Sequence, residues 1–247
     1  MDYRTRIYKK YSSLFKQEKS VFNEKEASSC LKSFDYYLRG WLPEVKESVI
    51  VDLACGNGKL LYFFKQRGFT NITGVDISPE QVMFARKVVS NVILANINDF
   101  LDDYQETFDL ITGFDIIEHF NKDEVLNFLD NCYAALKPNG RIILKTLNAD
   151  SPFGVSIHYG DFTHETGFTP ESLAHLLRLC GFDSIDIREM SPVPIGYSVK
   201  STMRYIMWRA IRCLIKFYNL VETGGTGSGV YTRVFIIKAK KINTHNG

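Results

Sequence analysis

The chain has 247 residues, 45% hydrophobic and 23% charged, which suits a globular protein with a substantial core. A formal charge of +2 is too close to neutral for the electrostatic footprint of a nucleic-acid binder. No stretch offers about 18 uncharged apolar residues for a membrane span, and MDYRTRIYKKYSSLFK at the start lacks the apolar core and cleavage site of a signal peptide.

Residues 1–47 are polar and aromatic and are expected to form a partly helical cap, with Phe34–Trp41 as one short helix. From Ser48 onward, short apolar runs alternate with helical patterns. Strands are expected at Ser48–Leu53, Asn71–Val75, Val92–Ala95, Phe108–Gly113 and, after the turn Pro138-Asn139-Gly140, at Arg141–Leu147. Helices are expected at Lys59–Arg67, Pro79–Ser90 with Ser78 as cap, Lys122–Leu136, and Pro170–Cys180 with Thr169 as cap and Gly181 as stop. This order predicts an α/β, Rossmann-like, doubly wound and mostly parallel sheet with helices on both faces. Ile185–Arg188 and Val230–Lys238 are expected strands that add an antiparallel edge, with a helical insertion, Val199–Leu220, between them. The division predicted is a cap at 1–47, a main domain at 48–190 and 230–240, and an insertion at 191–229.

The five cysteines, Cys30, Cys55, Cys132, Cys180 and Cys213, are scattered and form neither a C-x-x-C pair nor a zinc pattern. They read as reduced thiols of a cytoplasmic protein, with Cys55 a small buried filler.

The stretch VDLACGNGKL places Gly56 and Gly58 at a strand-to-helix junction, where bare backbone bends sharply and approaches a ligand. Asp76 ends the next strand 20 residues after Gly56, the place of a ribose-binding acid in nucleotide-binding βαβ units. The third glycine of a dinucleotide fingerprint is replaced by Leu61, and Asp52 would repel a pyrophosphate. Asp52 suits a ligand carrying ammonium and sulfonium charge.

With GVDISPEQV, FDLITGFDIIEHF and LKPNGRIILKTLN following in order, the chain resembles the class I S-adenosylmethionine-dependent methyltransferases over roughly residues 48–182. The resemblance implies S-adenosylmethionine as cofactor, with Asp52, Gly56 and Gly58 around its methionine end and Asp76 on its ribose. Ile77 would pack on the adenine, with Asn96 and Ile97 beside it. Asn96 stands where the family has an acid. Backbone around Gly113–Asp115 would close the methionine side.

Two stretches carry acceptor-side chemistry. Asp115, Glu118 and His119 would share one face of a helix, a spacing similar to a divalent-metal site in ubiquinone-biosynthesis O-methyltransferases. A pocket-wall histidine without metal is the reading adopted. HYGDFTHETGFTP, residues 158–170, carries two histidines and two acids, and Asp161 is expected to orient His164 as a general base. That segment is similar to one in methyltransferases of bacterial surface-polysaccharide (O-antigen) gene clusters, which implies a sugar hydroxyl of a glycan or its lipid-linked precursor as acceptor. The alternatives are a ubiquinone-precursor phenol and a non-catalytic cofactor-binding module. No N-P-P-Y-like segment follows the fourth strand, which speaks against methylation of nucleic-acid amino groups.

In the insertion, Met203, Ile206, Met207, Ala210, Cys213, Leu214 and Phe217 fall on one helix face, with Lys200, Arg204, Arg209, Arg212 and Lys216 outside it. Such a helix packs on its own domain, on a second subunit in a homodimer, or peripherally on a membrane.

Overall fold

The computed structural model describes residue 7 and residues 22–194 and 198–242. Helix α1 (Glu24–Leu38) precedes β1 (Ile50–Leu53), α2 (Lys59–Gln66), β2 (Ile72–Asp76), α3 (Pro79–Ala85), β3 (Val92–Leu94), α4 (Ile97–Asp102) and β4 (Phe108–Phe114). A 3-10 turn at Ile117–His119 leads to α5 (Lys122–Ala135), β5 (Leu136–Leu147), α6 (Gly154–His158), α7 (Pro170–Leu179), β6 (Phe182–Glu189), α8 (Val199–Thr223) and β7 (Val234–Lys241).

The seven strands lie in the order β3-β2-β1-β4-β5-β7-β6. Strands β1 to β5 are mutually parallel, and β7 runs antiparallel between β5 and β6. This is the Rossmann-like, mostly parallel arrangement expected, with the antiparallel strand one place in from the edge. Alternation along β1 sends Val51 and Leu53 to one face and Ile50 to the other. The first face packs against α4, α5 and α7 through Phe100, Phe128 and Leu173, and the second against α1, α2 and α3 through Leu38, Phe63 and Val82. The chain winds outward from β1 to β3 and then returns to β4. The carboxyl ends of β1 and β4 therefore flank a topological switch point, the place where such sheets hold ligands.

Caps set most helix starts. Asn121 and Glu124 form a capping box on α5, Thr169 and Ser172 form one on α7, and Ser78 caps α3.

The differences from expectation are local. The N-terminal helix runs over Glu24–Leu38, and Trp41 lies beyond it, buried, with its Nε1–H donating to Asp186. Helix α3 stops at Ala85, before the Ser90 expected. Pro138-Asn139-Gly140 falls inside β5, whose ladder to β4 breaks register there, with Asn139 left-handed. Helices α4 and α6 had no counterpart in the sequence pattern, and β7 starts at Val234 instead of Val230. Residues 1–6 and 8–21 of the expected cap and 195–197 of the insertion lie outside the described residues.

Candidate functional site

The glycine turn leaves β1 through three left-handed residues, Ala54 (φ 56°), Gly56 (φ 54°) and Gly58 (φ 89°). Alanine tolerates this region poorly, and such strain gathers at ligand sites. A Cβ on Gly58 would sit 3.2 Å from both Ala85 Cα and Val88 Cγ2, so glycine there lets the turn press against α3. A Cβ on Gly56 would meet only Gln81 Oε1, at 3.9 Å, so its backbone faces open space. The turn is pinned from β2: Gly56 N–H and Ser78 N–H each donate to one oxygen of Asp76, both at 2.8 Å. A carboxylate has about four lone-pair sites, so a group of this kind can serve both backbone amides and ligand hydroxyls.

Asp52 lies buried in β1 and accepts from Thr112 Oγ1 at 2.7 Å. Burial pushes its carboxyl up to about 7, against the Thr112 hydrogen bond and with help from neighbouring Asp76. A cationic ligand arriving beside this group would return it to its charged form.

Across the turn, Ile77 (47% exposed) and Leu94 (49% exposed) present apolar surface at the ends of β2 and β3, suited to a flat base. Asn96 Oδ1 accepts from Asn98 N–H at 2.9 Å and so caps α4. The Ile97 side chain is buried in the core cluster rather than turned to a ligand. A residue that sequence reasoning missed is Asn98, whose Oδ1 is buried without a hydrogen-bond partner. Such an acceptor is costly unless a ligand donor or water meets it. No sequence signal distinguished it from its neighbour Asn96. Together, the left-handed turn, the buried acids, the exposed Ile77 and the orphaned acceptor fit a nucleoside-bearing cation.

On the β4 side, Asp115 is left-handed (φ 55°), and its carboxylate pairs with Lys145. The segment after it is a 3-10 turn, so Asp115, Glu118 and His119 do not share the expected helical face. Glu118 instead points inward, buried, accepting from Thr146 Oγ1 at 2.9 Å. Burial, and then the Asp115 charge, push its carboxyl up to about 8.

The loop after α6 is stitched onto this turn: Glu165 N–H and Thr166 N–H donate to the Glu118 carbonyl, and Thr166 Oγ1 donates to the Phe120 carbonyl. The stitching brings the His164 ring to 4.9 Å from that of His119, centroid to centroid. Asp161 Oδ1 accepts from Thr163 N–H and Thr163 Oγ1, and Thr163 in turn meets His119 Nδ1 at 2.9 Å. With its own hydrogen directed to Asp161, the Thr163 hydroxyl accepts from His119 Nδ1–H. The Thr163 carbonyl, 3.2 Å from the same nitrogen, enforces the same tautomer. His164 Nδ1 lies 2.8 Å from the His158 carbonyl, so it too carries the proton. The orienting partner of His164 Nδ1 is thus a carbonyl, while Asp161 works through Thr163 on His119. Both histidines leave Nε2 as the lone-pair nitrogen. Among the described residues, Glu118, His119 and His164 bring one ligand atom each within 4.8 Å of one another.

A model of the methyltransferase domain family matches residues 22–187. The chain is 27% identical to the ubiquinone biosynthesis O-methyltransferase of Cereibacter sphaeroides, over 60% of this chain and 66% of that protein. It is 31% identical to the enzyme of the same name from Actinobacillus pleuropneumoniae, over 40% of this chain and 45% of that one. The match thus spans between under half and just under two thirds of these curated relatives. Among solved structures, a SAM-dependent methyltransferase from Archaeoglobus fulgidus superposes with a TM-score of 0.65 at 20% identity, covering 97% of this chain and all of the other. Phosphoethanolamine N-methyltransferase 2 of Haemonchus contortus, crystallised with S-adenosyl-L-methionine, gives 0.63 at 14% identity, covering 96% and 60%. At those identities the likeness is one of fold.

Proposed function

The chain belongs to the methyltransferase domain family, and from that premise we propose that it moves a methyl group from S-adenosylmethionine to a hydroxyl, most fittingly a phenol of the ubiquinone-precursor class. The names of the curated relatives support that acceptor over the sugar hydroxyl expected from residues 158–170. The observation that carries the reading is the approach of the His119 and His164 rings, 4.9 Å apart between centroids, each oriented through its Nδ1, on the segments that follow β4 and β5.

When bound, the cofactor supplies an electrophilic methyl on a sulfonium. In this reading Gly56 and Gly58 give bare backbone to its methionine end, Asp52 answers its ammonium, and Asp76 accepts from its ribose. Ile77 covers the base, and the Asn98 amide oxygen accepts from its amino group. His164, half-buried at the mouth, takes the acceptor proton at Nε2. Its own Nδ1–H is fixed on the His158 carbonyl, so the ring does not turn away. Asp161 is a positioning residue that acts through Thr163. The proposal retains the division into a cap, a catalytic domain and an insertion.

A second reading rests on the three ligand atoms within 4.8 Å. Glu118, His119 and His164 fit a divalent cation, with both histidine Nδ1 atoms already donating to oxygens, as the far ring nitrogens of metal-bound histidines do. Such an ion would lower the pKa of a coordinated hydroxyl.

The test is labelled methyl transfer to a catechol and to a hexose. Turnover of the catechol, lost in His164→Ala with donor affinity kept, supports the reading. Unchanged turnover removes His164 from it. A chelator that stops the reaction, reversed by magnesium, selects the second reading.

A further inference from the structure

The insertion helix α8 is laid on its domain inside out. Its 25 residues include none that is buried. The half-buried face turned to the domain mixes Tyr205, Trp208 and Ile215 with Ser201, Arg212 and Asn219, and polar contacts hold it. Ser201 Oγ donates to the Val193 carbonyl, Trp208 Nε1–H to Glu189, and Arg212 Nη2–H to the Gly229 carbonyl, while Arg212 also pairs with Glu189. The opposite face carries Met203, Ile206, Met207, Leu214, Phe217 and Val221, each at least 60% exposed. A helix that merely covered its own domain would be turned the other way.

Charge identifies what covers that face. The helix holds Lys200, Arg204, Arg209, Arg212 and Lys216 against the single acid Glu222, a balance of +4, while the rest of the chain carries −2. At about 100° per residue, Lys200 and Arg204 border the apolar stripe on one side and Arg209 and Lys216 on the other. An apolar stripe between basic rims matches an anionic bilayer surface, with the stripe in the acyl boundary and the rims among the head groups. A second copy of the chain would set two +4 helices side by side. None of the described helices is long and apolar enough to cross a membrane.

Topology adds a purpose. Helix α8 joins the end of β6 to the start of β7, both at the sheet edge where β5 ends. The same edge carries the loop with Phe153, Tyr159 and Phe162, all exposed, tied to the strand start by Arg233 over the Phe153 ring. We propose that α8 docks the protein on an anionic membrane through its outward apolar face, holding the site's edge toward the bilayer. This goes beyond the acceptor reading and does not rest on it.

The experiment is co-sedimentation of the full chain with vesicles of phosphatidylglycerol and phosphatidylcholine, with phosphatidylcholine vesicles as control. The protein is expected to sediment with the anionic vesicles alone and to be released by salt. Leu214→Glu/Phe217→Glu should weaken this roughly tenfold or more, and each reversed rim charge of Arg204→Glu/Lys216→Glu by roughly fivefold or more. All these side chains but the partly covered Lys216 are solvent-exposed, so melting temperature and donor binding should not move. An environment-sensitive dye on the exposed Cys213, corrected against Cys213→Ala, should shift to the blue with anionic vesicles. The proposal is overturned if folded protein stays in the supernatant, or if the Leu214/Phe217 variant binds as well as the parent. It is also overturned if light scattering shows a dimer that this variant dissociates, since the cover is then a second copy.

Discussion

Asp52→Asn isolates the electrostatic design of the glycine turn. In the fold, the Asp52 carboxyl keeps its proton up to about pH 7, whereas an unfolded aspartate releases it near 4. Between those values the native state holds a proton that the unfolded chain lacks. The group therefore lowers stability as pH rises, by about 1.4 kcal/mol per pH unit and on the order of 4 kcal/mol in all, and the penalty is constant above about 7. Asparagine keeps an oxygen for Thr112 Oγ1 and has no charge to bury, so the variant escapes the penalty. Urea unfolding at pH 5.5 and at pH 8 should show the gain of the variant over the parent growing by about 2 kcal/mol. Donor affinity should fall roughly tenfold or more at pH 8, because the ammonium loses its counter-charge. Equal gains at the two pH values would refute the buried-acid argument.

Gly58→Ala should cost about 1–3 kcal/mol, since φ is 89° and the new methyl meets Ala85 and Val88; thermal melts with and without donor measure it. Thr163→Val cuts the link from Asp161 to His119 and should shift the midpoint of the pH–rate profile and reduce kcat roughly tenfold or more, while Thr163→Ser restores both. A profile that does not move would make the link purely structural. Asn98→Ala removes the orphaned acceptor and is expected to raise the Kd for the donor by about fivefold to tenfold with little change in folding stability, read by equilibrium dialysis and urea titration.

The parallel core of the fold was legible because β1, β2 and β4 are short apolar runs bounded by turn residues, and because Ser78 and Thr169 each precede a proline at a helix start. The donor half of the candidate site was legible for a related reason: its parts, Asp52, Gly56, Gly58 and Asp76, lie on consecutive elements at fixed spacing. The acceptor half was not. The partnership of Asp161 with His119 crosses from one loop to another through Thr163, and nothing in HYGDFTHETGF announces which histidine the acid serves. Helical spacing suggested that Asp115, Glu118 and His119 act together, yet the left-handed backbone at Asp115 and the 3-10 turn after it redirect Asp115 to Lys145. The amphipathic pattern of α8 was plain, but its orientation, with the apolar face outward, depends on Glu189 and Gly229, which receive Arg212 from distant positions.

The most direct measurement is equilibrium dialysis of the folded chain against labelled S-adenosylmethionine, with Asp76→Ala in parallel. The account predicts retention of one donor per chain with a Kd on the order of micromolar, displaced by S-adenosylhomocysteine and lost in the variant. A parent protein that is folded by circular dichroism and retains no label would contradict it.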